Sequence, residues 1–289
     1  MSKWNGRSRG TVLGYKIFLF SIRGFGIKPA YFILRFVSFY FFLVARKNKN
    51  VLRKFYCDQL HIDKQKVSKL ILKNFYVFGQ TLIDRVAFLA GKENQYTHSF
   101  ENEEILLAME KAGKGGILLS AHVGNWETAG NLLKERVSKT IHVVMLQAEE
   151  ANIKNYLDDK TGGSRFSIIP IKDDLSHVVK IKNALDKNEL IAMHADRYME
   201  GAKFIELPFF GRQARFPLGP FLIASKFNAP VSFVFAIRHP AMHYALSATV
   251  PLAHEKNAEQ LAALYVEQLE KKVTENPEQW FNYYDFYAQ

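Results

Sequence analysis

The chain has 289 residues, of which 48% are hydrophobic and one is cysteine. That length suits one large α/β domain or two small ones, and the apolar content is enough for a sizeable core. A lone Cys57 excludes an internal disulfide framework and a four-cysteine zinc site. The formal charge of +11 belongs to the first 57 residues, which hold 12 Lys/Arg and no Asp/Glu, while the remainder has 27 basic and 28 acidic residues. Such an uneven charge points to local contact with an anionic surface, not to a protein that is basic all over.

In chain order, the basic residues of the N-terminal part alternate with apolar runs, residues 17–22 and then residues 30–45. The second run would make a helix of about 24 Å. It falls short of the ~20 apolar residues that a bilayer span needs, and Arg35 interrupts it. Arg46, Lys47 and Lys49 close it. A helix lying in the interface, or a short tilted anchor held against anionic headgroups on the cytoplasmic side, fits this pattern. A buried hairpin of the domain itself would read the same way. Nucleic acid is not the expected partner, because Phe and Leu come in continuous blocks instead of singly spaced stacking aromatics.

Residues 50–90 and 100–114 carry apolar side chains at helical spacing. From there the rhythm changes. Short apolar runs at 117–121, 141–146, 167–170, 190–194, 231–237 and 244–250 read as strands. Residues 126–137, 150–160, 174–187, 217–228 and 257–275 read as helices. The alternation predicts an α/β fold with a mixed, largely parallel sheet flanked by helices. The last two strands should pair antiparallel around His239-Pro240. The simplest organisation is a membrane-associating segment, 1–57, followed by one catalytic domain, 58–289.

Ligands of open α/β sheets bind beyond the carboxyl ends of the strands. Two strand ends carry ionisable clusters: Ser120-Ala121-His122, continuing as H-V-G-N-W-E to Glu127, and Met193-His194-Ala195-Asp196-Arg197. A histidine acts as a general base when a carboxylate holds its far nitrogen. Glu127 is the candidate holder, provided that His122 lies in the loop before the helix, since five residues along one helix put side chains about 140° apart. Gly124 permits such a turn, and Asn125 is placed either to cap the helix or to meet substrate. A loop histidine and a first-turn carboxylate with no catalytic part would show the same spacing. The segment 210–217 reads as a turn with Arg212 and Arg215 ahead of a helix, suited to gripping a phosphate or carboxylate. The aromatics from Trp280 to Tyr287 read as core. His142, His177, His239, His243 and His254 have no motif company.

The strand-borne H-x4-E resembles the acyltransferases that include the glycerophosphate acyltransferases. The ordered set is similar to the late lipid A acyltransferases (lauroyl and myristoyl transferases). That set comprises a greasy basic N-terminus, H-V-G-N-W-E, Ala195-Asp196-Arg197, A-R-F-P-L-G-P-F-L-I-A-S-K-F-N-A-P-V and P-E-Q-W-F-N-Y-Y-D-F. The resemblance implies acyl transfer from an acyl thioester, acyl carrier protein or coenzyme A, to a lipid hydroxyl at the bacterial inner membrane. No resident cofactor or metal is expected. It implies His122 as base, Glu127 as its partner, Arg165 for the oxyanion, Asp196 organising the acceptor site or the arginine, and Arg197 as a competing anion binder. The chain departs from the pattern where a tryptophan is usually followed by a basic pair, and where Arg197 follows the acidic position. A smaller acceptor, such as a lyso-aminoacyl lipid or an aryl-polyene glycolipid, therefore stays open beside a lipid A precursor. So do a lipid hydrolase and a non-catalytic membrane-binding protein.

Overall fold

The computed structural model describes residues 22, 24, 26–133, 136–146, 167–172, 174–198, 201–227, 229–252 and 257–287. Three helices come first: α1 (Ile27–Val44), α2 (Arg46–Asp58) and α3 (Lys64–Leu89). They are followed by β1 (Thr97–Glu101), α4 (Glu103–Lys111), β2 (Gly116–Ser120), α5 (Trp126–Leu133), β3 (Ile141–Leu146) and β4 (Ser167–Ile171). Then come α6 (Ser176–Asp186), β5 (Leu190–His194), β6 (Phe204–Phe209), β7 (Arg212–Pro217) and α7 (Leu218–Lys226). The order ends with β8 (Val231–His239), β9 (His243–Ala248) and α8 (Ala258–Glu275).

Seven strands form one sheet in the order β1-β9-β8-β2-β5-β3-β4. Every pairing is parallel except the β8–β9 hairpin. The mixed, largely parallel α/β architecture expected from the alternation is therefore the one observed. β2 lies at its centre, and all five of its residues are buried, as a strand covered on both faces requires. The pleat divides the core. Ile117, Leu119 and Ala121 point into a layer closed by α2, α6, α7 and α8, while Leu118 points into a layer closed by α1, α4 and α5. Helix α8 shows how sequence sets this packing. Its buried residues, Leu261, Ala262, Tyr265, Val266, Leu269 and Val273, recur at three and four, and Asn257 and Gln260 form a capping box at its start.

Several expectations change. Residues 204–217 form an antiparallel hairpin, β6–β7, separate from the main sheet, so Arg212 and Arg215 sit on a strand and not in a turn. β1 occupies Thr97–Glu101, and the helix expected from residue 100 starts at Glu103. The successive helices expected over 50–90 are observed as α2 and α3, and α3 begins where the Asp63 carboxylate accepts from Gln65 N–H at 2.8 Å. The helix expected at 150–160 lies outside the described residues. The division at residue 57 runs through a packed helix: Leu52, Phe55 and Tyr56 of α2 are buried, and Phe55 meets Trp280 at 4.6 Å. Among the described residues the exposed apolar face of the N-terminal part lies on α1.

Helix α1 buries Ile27, Ala30, Leu34 and Ser38 and leaves a broad apolar face outside, with Phe36 65% and Tyr40 60% exposed. Its inner face lies tight on α3, where a Cβ on Gly79 would come within 2.3 Å of Leu34 Cδ1. Below this contact Asp84 of α3 is fully buried. It is ion-paired with Arg238 Nε of β8 at 2.8 Å and accepts from the hydroxyls of Tyr31, Tyr96 and Tyr244. Removing one partner of such a pair strands the other, at a cost of about 3–5 kcal/mol, whereas an apolar replacement of both is far milder. Urea denaturation should therefore show Asp84→Leu and Arg238→Met each losing about that much, and the double variant recovering part of it.

Candidate active site

The site grows from strand register. β2 and β5 are parallel neighbours with Ser120 opposite His194, and the Ala195 N–H donates to the Ser120 carbonyl at 3.0 Å. Two residues further along both strands, the same face carries His122 and Asp196. The Asp196 carboxylate accepts from the His122 backbone N–H at 3.0 Å and bonds Nδ1 of its ring at 2.8 Å. The histidine is thereby fixed at two points, with Nε2 left as the basic nitrogen. Burial would raise the Asp196 carboxyl, but the nearby His122, its hydrogen bond and Arg197 together hold it well below the usual carboxylate range. Asp196 therefore stays ionised as the acceptor of both His122 bonds.

The loop after His122 is pinned on both sides. Phe281 N–H donates to the His122 carbonyl at 3.1 Å, Gly124 N–H donates to Gln279, and Asn125 N–H donates to Ala236. Gly124 has φ +73°, and a Cβ there would lie 1.9 Å from the Ala236 carbonyl oxygen, so the turn demands glycine. The closing W-F-N segment is thus a strap that shapes the catalytic loop.

The carboxylate on the far nitrogen of His122 is Asp196, where Glu127 had been expected. Glu127 lies in the first turn of α5, which turns it toward α3, and there it is ion-paired with Arg85 at 2.7 Å. Asn125 is buried: its amide donates to Thr81 O and Tyr244 Oη, and its oxygen caps Thr128 N–H. Arg197 donates to the Phe281 carbonyl. Arg212 stacks on Tyr287 beside a second cavity that Lys47 and Lys54 also line, and Arg215 pairs with Glu206 across the hairpin. Arg165 lies outside the described residues.

His194 belongs to the site although no motif marked it. Its ring lies 4.3 Å from that of His122, and the Trp126 ring meets it edge-on at 5.3 Å. Both ring nitrogens are buried without a hydrogen bond. Burial, then the charge of His122, pushes its pKa down to about 3. The signal was in the sequence: residues 194 and 196 share a strand face. Among the described residues, His122, His194 and Asp196 also form the one cluster with metal-ligand atoms within 4.8 Å of one another. Two of those atoms are engaged with each other in the His122–Asp196 bond.

Beyond His194 a narrow apolar cavity of about 60 Å³ lies between the sheet and helices α4 and α5. Leu106, Leu118, Trp126, Leu133, Ile141 and His194 are among its walls. Its lining is almost wholly apolar, and His194, whose ring meets that of His122, stands at one wall.

A largely parallel sheet thus carries a carboxylate-held histidine at its strand ends, with an apolar cavity behind it. The chain belongs to the bacterial lipid A biosynthesis acyltransferase family, whose model matches residues 7–283. It is also similar to the phosphatidylinositol mannoside acyltransferase of Mycobacterium tuberculosis, at 26% identity over 119 residues. That match spans 41% of this chain and 37% of the relative's length.

Two outcomes follow for the site. Asp196→Asn should leave the fold intact but lower the turnover rate by about 10³–10⁴-fold, because the ring loses its tautomer and its countercharge. His194 is neutral in the fold and binds a proton more readily when unfolded, with an ordinary value of 6.5. Stability therefore falls as pH drops below that value, by about 2 kcal/mol at pH 5 if the full shift is felt. Thermal denaturation against pH should show this acid slope in the wild type and a shallower one in His194→Phe.

Proposed function

We propose that the protein moves a fatty acyl group from an acyl thioester to a hydroxyl of a lipid acceptor at a membrane surface. The observation that carries this reading is the His122–Asp196 pair set beside the apolar cavity. His122 Nε2 takes the proton of the acceptor hydroxyl. That oxygen attacks the thioester carbonyl carbon, the C–O bond forms, and the C–S bond breaks. The departing thiolate takes the proton back from the imidazolium, so no acyl-enzyme is needed. Asp196 stabilises the charge on His122 throughout, and Glu127, with Arg85, holds the first turn of α5 against α3. Arg165 is our candidate for the oxyanion, and Arg197, Arg212 and Arg215 for anionic groups of the substrates.

Acyl carrier protein is the donor we favour, at the cytoplasmic face of the bacterial inner membrane. Helix α1, 18 residues or about 27 Å long, supplies an apolar face compatible with membrane association. A lipid A precursor is the leading acceptor. A smaller acceptor, a lyso-aminoacyl lipid or an aryl-polyene glycolipid, is the second reading, favoured by the W-F-N-Y-Y-D-F segment, which carries no basic residue. The named substrate of the mycobacterial relative illustrates an acyltransferase similar to this chain whose acceptor is not lipid A.

The test is transfer of a labelled acyl group from acyl carrier protein to lipid extract, using the full chain in liposomes. The wild type should form one acylated lipid and His122→Ala none; equal product from both would overturn the reading. Free fatty acid released without any acceptor would instead indicate a hydrolase. Ala129→Phe, which projects into the cavity from α5, should shift donor preference toward shorter chains while shorter substrates keep their turnover within a few-fold.

A further inference from the structure

Acyl transfer puts negative charge on the thioester oxygen, and a preorganised donor for that oxygen is the largest single catalytic device such a site has. We propose that His194 supplies one such donor, in addition to the Arg165 candidate. Its ring N–H, which has no acceptor of full hydrogen-bonding geometry among the described residues and only the Ser120 carbonyl near enough to act on it, donates to the carbonyl oxygen of the acyl thioester as the acceptor oxygen attacks beside His122. The inference rests on the acyl-transfer reading.

Four observations converge on this role. His194 sits on the same face of β5 as Asp196, at the register position that brings its ring 4.3 Å from the His122 ring. It also lines the apolar cavity, so a carbonyl at the head of an acyl chain entering there lies between base and donor. Both its nitrogens are buried and unpaired, which costs stability unless a ligand uses them. The nearby Ser120 carbonyl is already taken by Tyr265 Oη at 2.7 Å and by Ala195 N–H at 3.0 Å. Finally, burial and the adjacent His122 keep the ring neutral across the working pH range. A neutral imidazole always carries one N–H, so it can polarise a carbonyl without competing for the proton that His122 moves. Trp126 packs edge-on against the ring at 5.3 Å.

The chemistry balances without another reactant. As the acceptor oxygen bonds to the carbonyl carbon, the C=O π electrons move to oxygen, where the His194 N–H meets them. They return to re-form C=O as the thiolate leaves with the proton from His122. His194 keeps its own proton throughout.

His194→Phe is the discriminating variant, because it keeps the ring against His122 and Trp126 and removes only the nitrogens. His194→Gln restores an N–H donor without the ring. With the full chain in liposomes, His194→Phe should lose about 100-fold in kcat with KM for the thioester changed less than about threefold. His194→Gln should recover at least tenfold of that loss. The acidic limb of the kcat profile should not move in His194→Phe, since the base is His122. The inference is overturned if folded His194→Phe keeps kcat within threefold of wild type. It is equally overturned if the glutamine variant is as slow as the phenylalanine one, or if the acidic limb disappears. His122→Ala separates the two levels: an active His122→Ala sinks the acyl-transfer reading, whereas an inactive His122→Ala beside a fully active His194→Phe sinks only the donor role.

Discussion

A carboxylate with no exposure to water must be compensated by its neighbours, and at Asp84 that demand gathers much of the molecule around one point. Arg238 reaches it from β8, Tyr244 from β9, Tyr96 from the segment before β1, and Tyr31 from α1. Burial raises the pKa of each of the three phenols and the Asp84 charge raises it further, so they keep their protons and remain donors. Arg238 also donates to Tyr31 Oη, and Asn125 donates to Tyr244 Oη. The chain of bonds runs from the helix with the outward apolar face to the residue that caps α5, three positions after His122. Arg85, next to Asp84 on α3, grips Glu127 in that same first turn. Two adjacent residues of one helix thus set where α5 begins.

The catalytic geometry is built on this platform by a different means, the register of two parallel strands. Neighbouring strands in register present side chains at matched heights on one face. Extending β2 and β5 two residues past their last paired positions delivers a histidine and an aspartate to each other. The strap from Gln279 to Phe281 then fixes the loop from outside. No residue of the pair needs support from its own sequence neighbours, which is why 74 positions can separate them.

Much of this was legible in the sequence, and the failures have physical reasons. β2, β5 and β8 were visible because a strand covered on both faces must be apolar throughout. β1 was hidden because it lies at the edge of the sheet, where T-H-S-F-E alternates between exposed and half-buried positions. Pro208 and Pro217 disguised the β6–β7 hairpin, although a two-stranded ribbon tolerates proline at its margins. His122 and Asp196 were each found at a strand end. Their pairing was not, because local spacing favoured Glu127, and only the three-dimensional register decides which carboxylate arrives. His194 was passed over for a related reason: one residue's place on a strand face means little until the facing strand is known.

The outward face of α1 has a consequence for how the protein behaves when lipid is taken away. Phe32, Ile33, Phe36, Phe39, Tyr40, Phe41, Leu43 and Val44 form one contiguous greasy strip on a helix anchored from behind by Leu34 and Tyr31. Because the buried side of that helix is tied to Asp84, the strip cannot fold inward to hide from water. In detergent-free buffer its only refuge is another copy of itself. Clusters formed during purification would then report this exposed strip and not a native assembly.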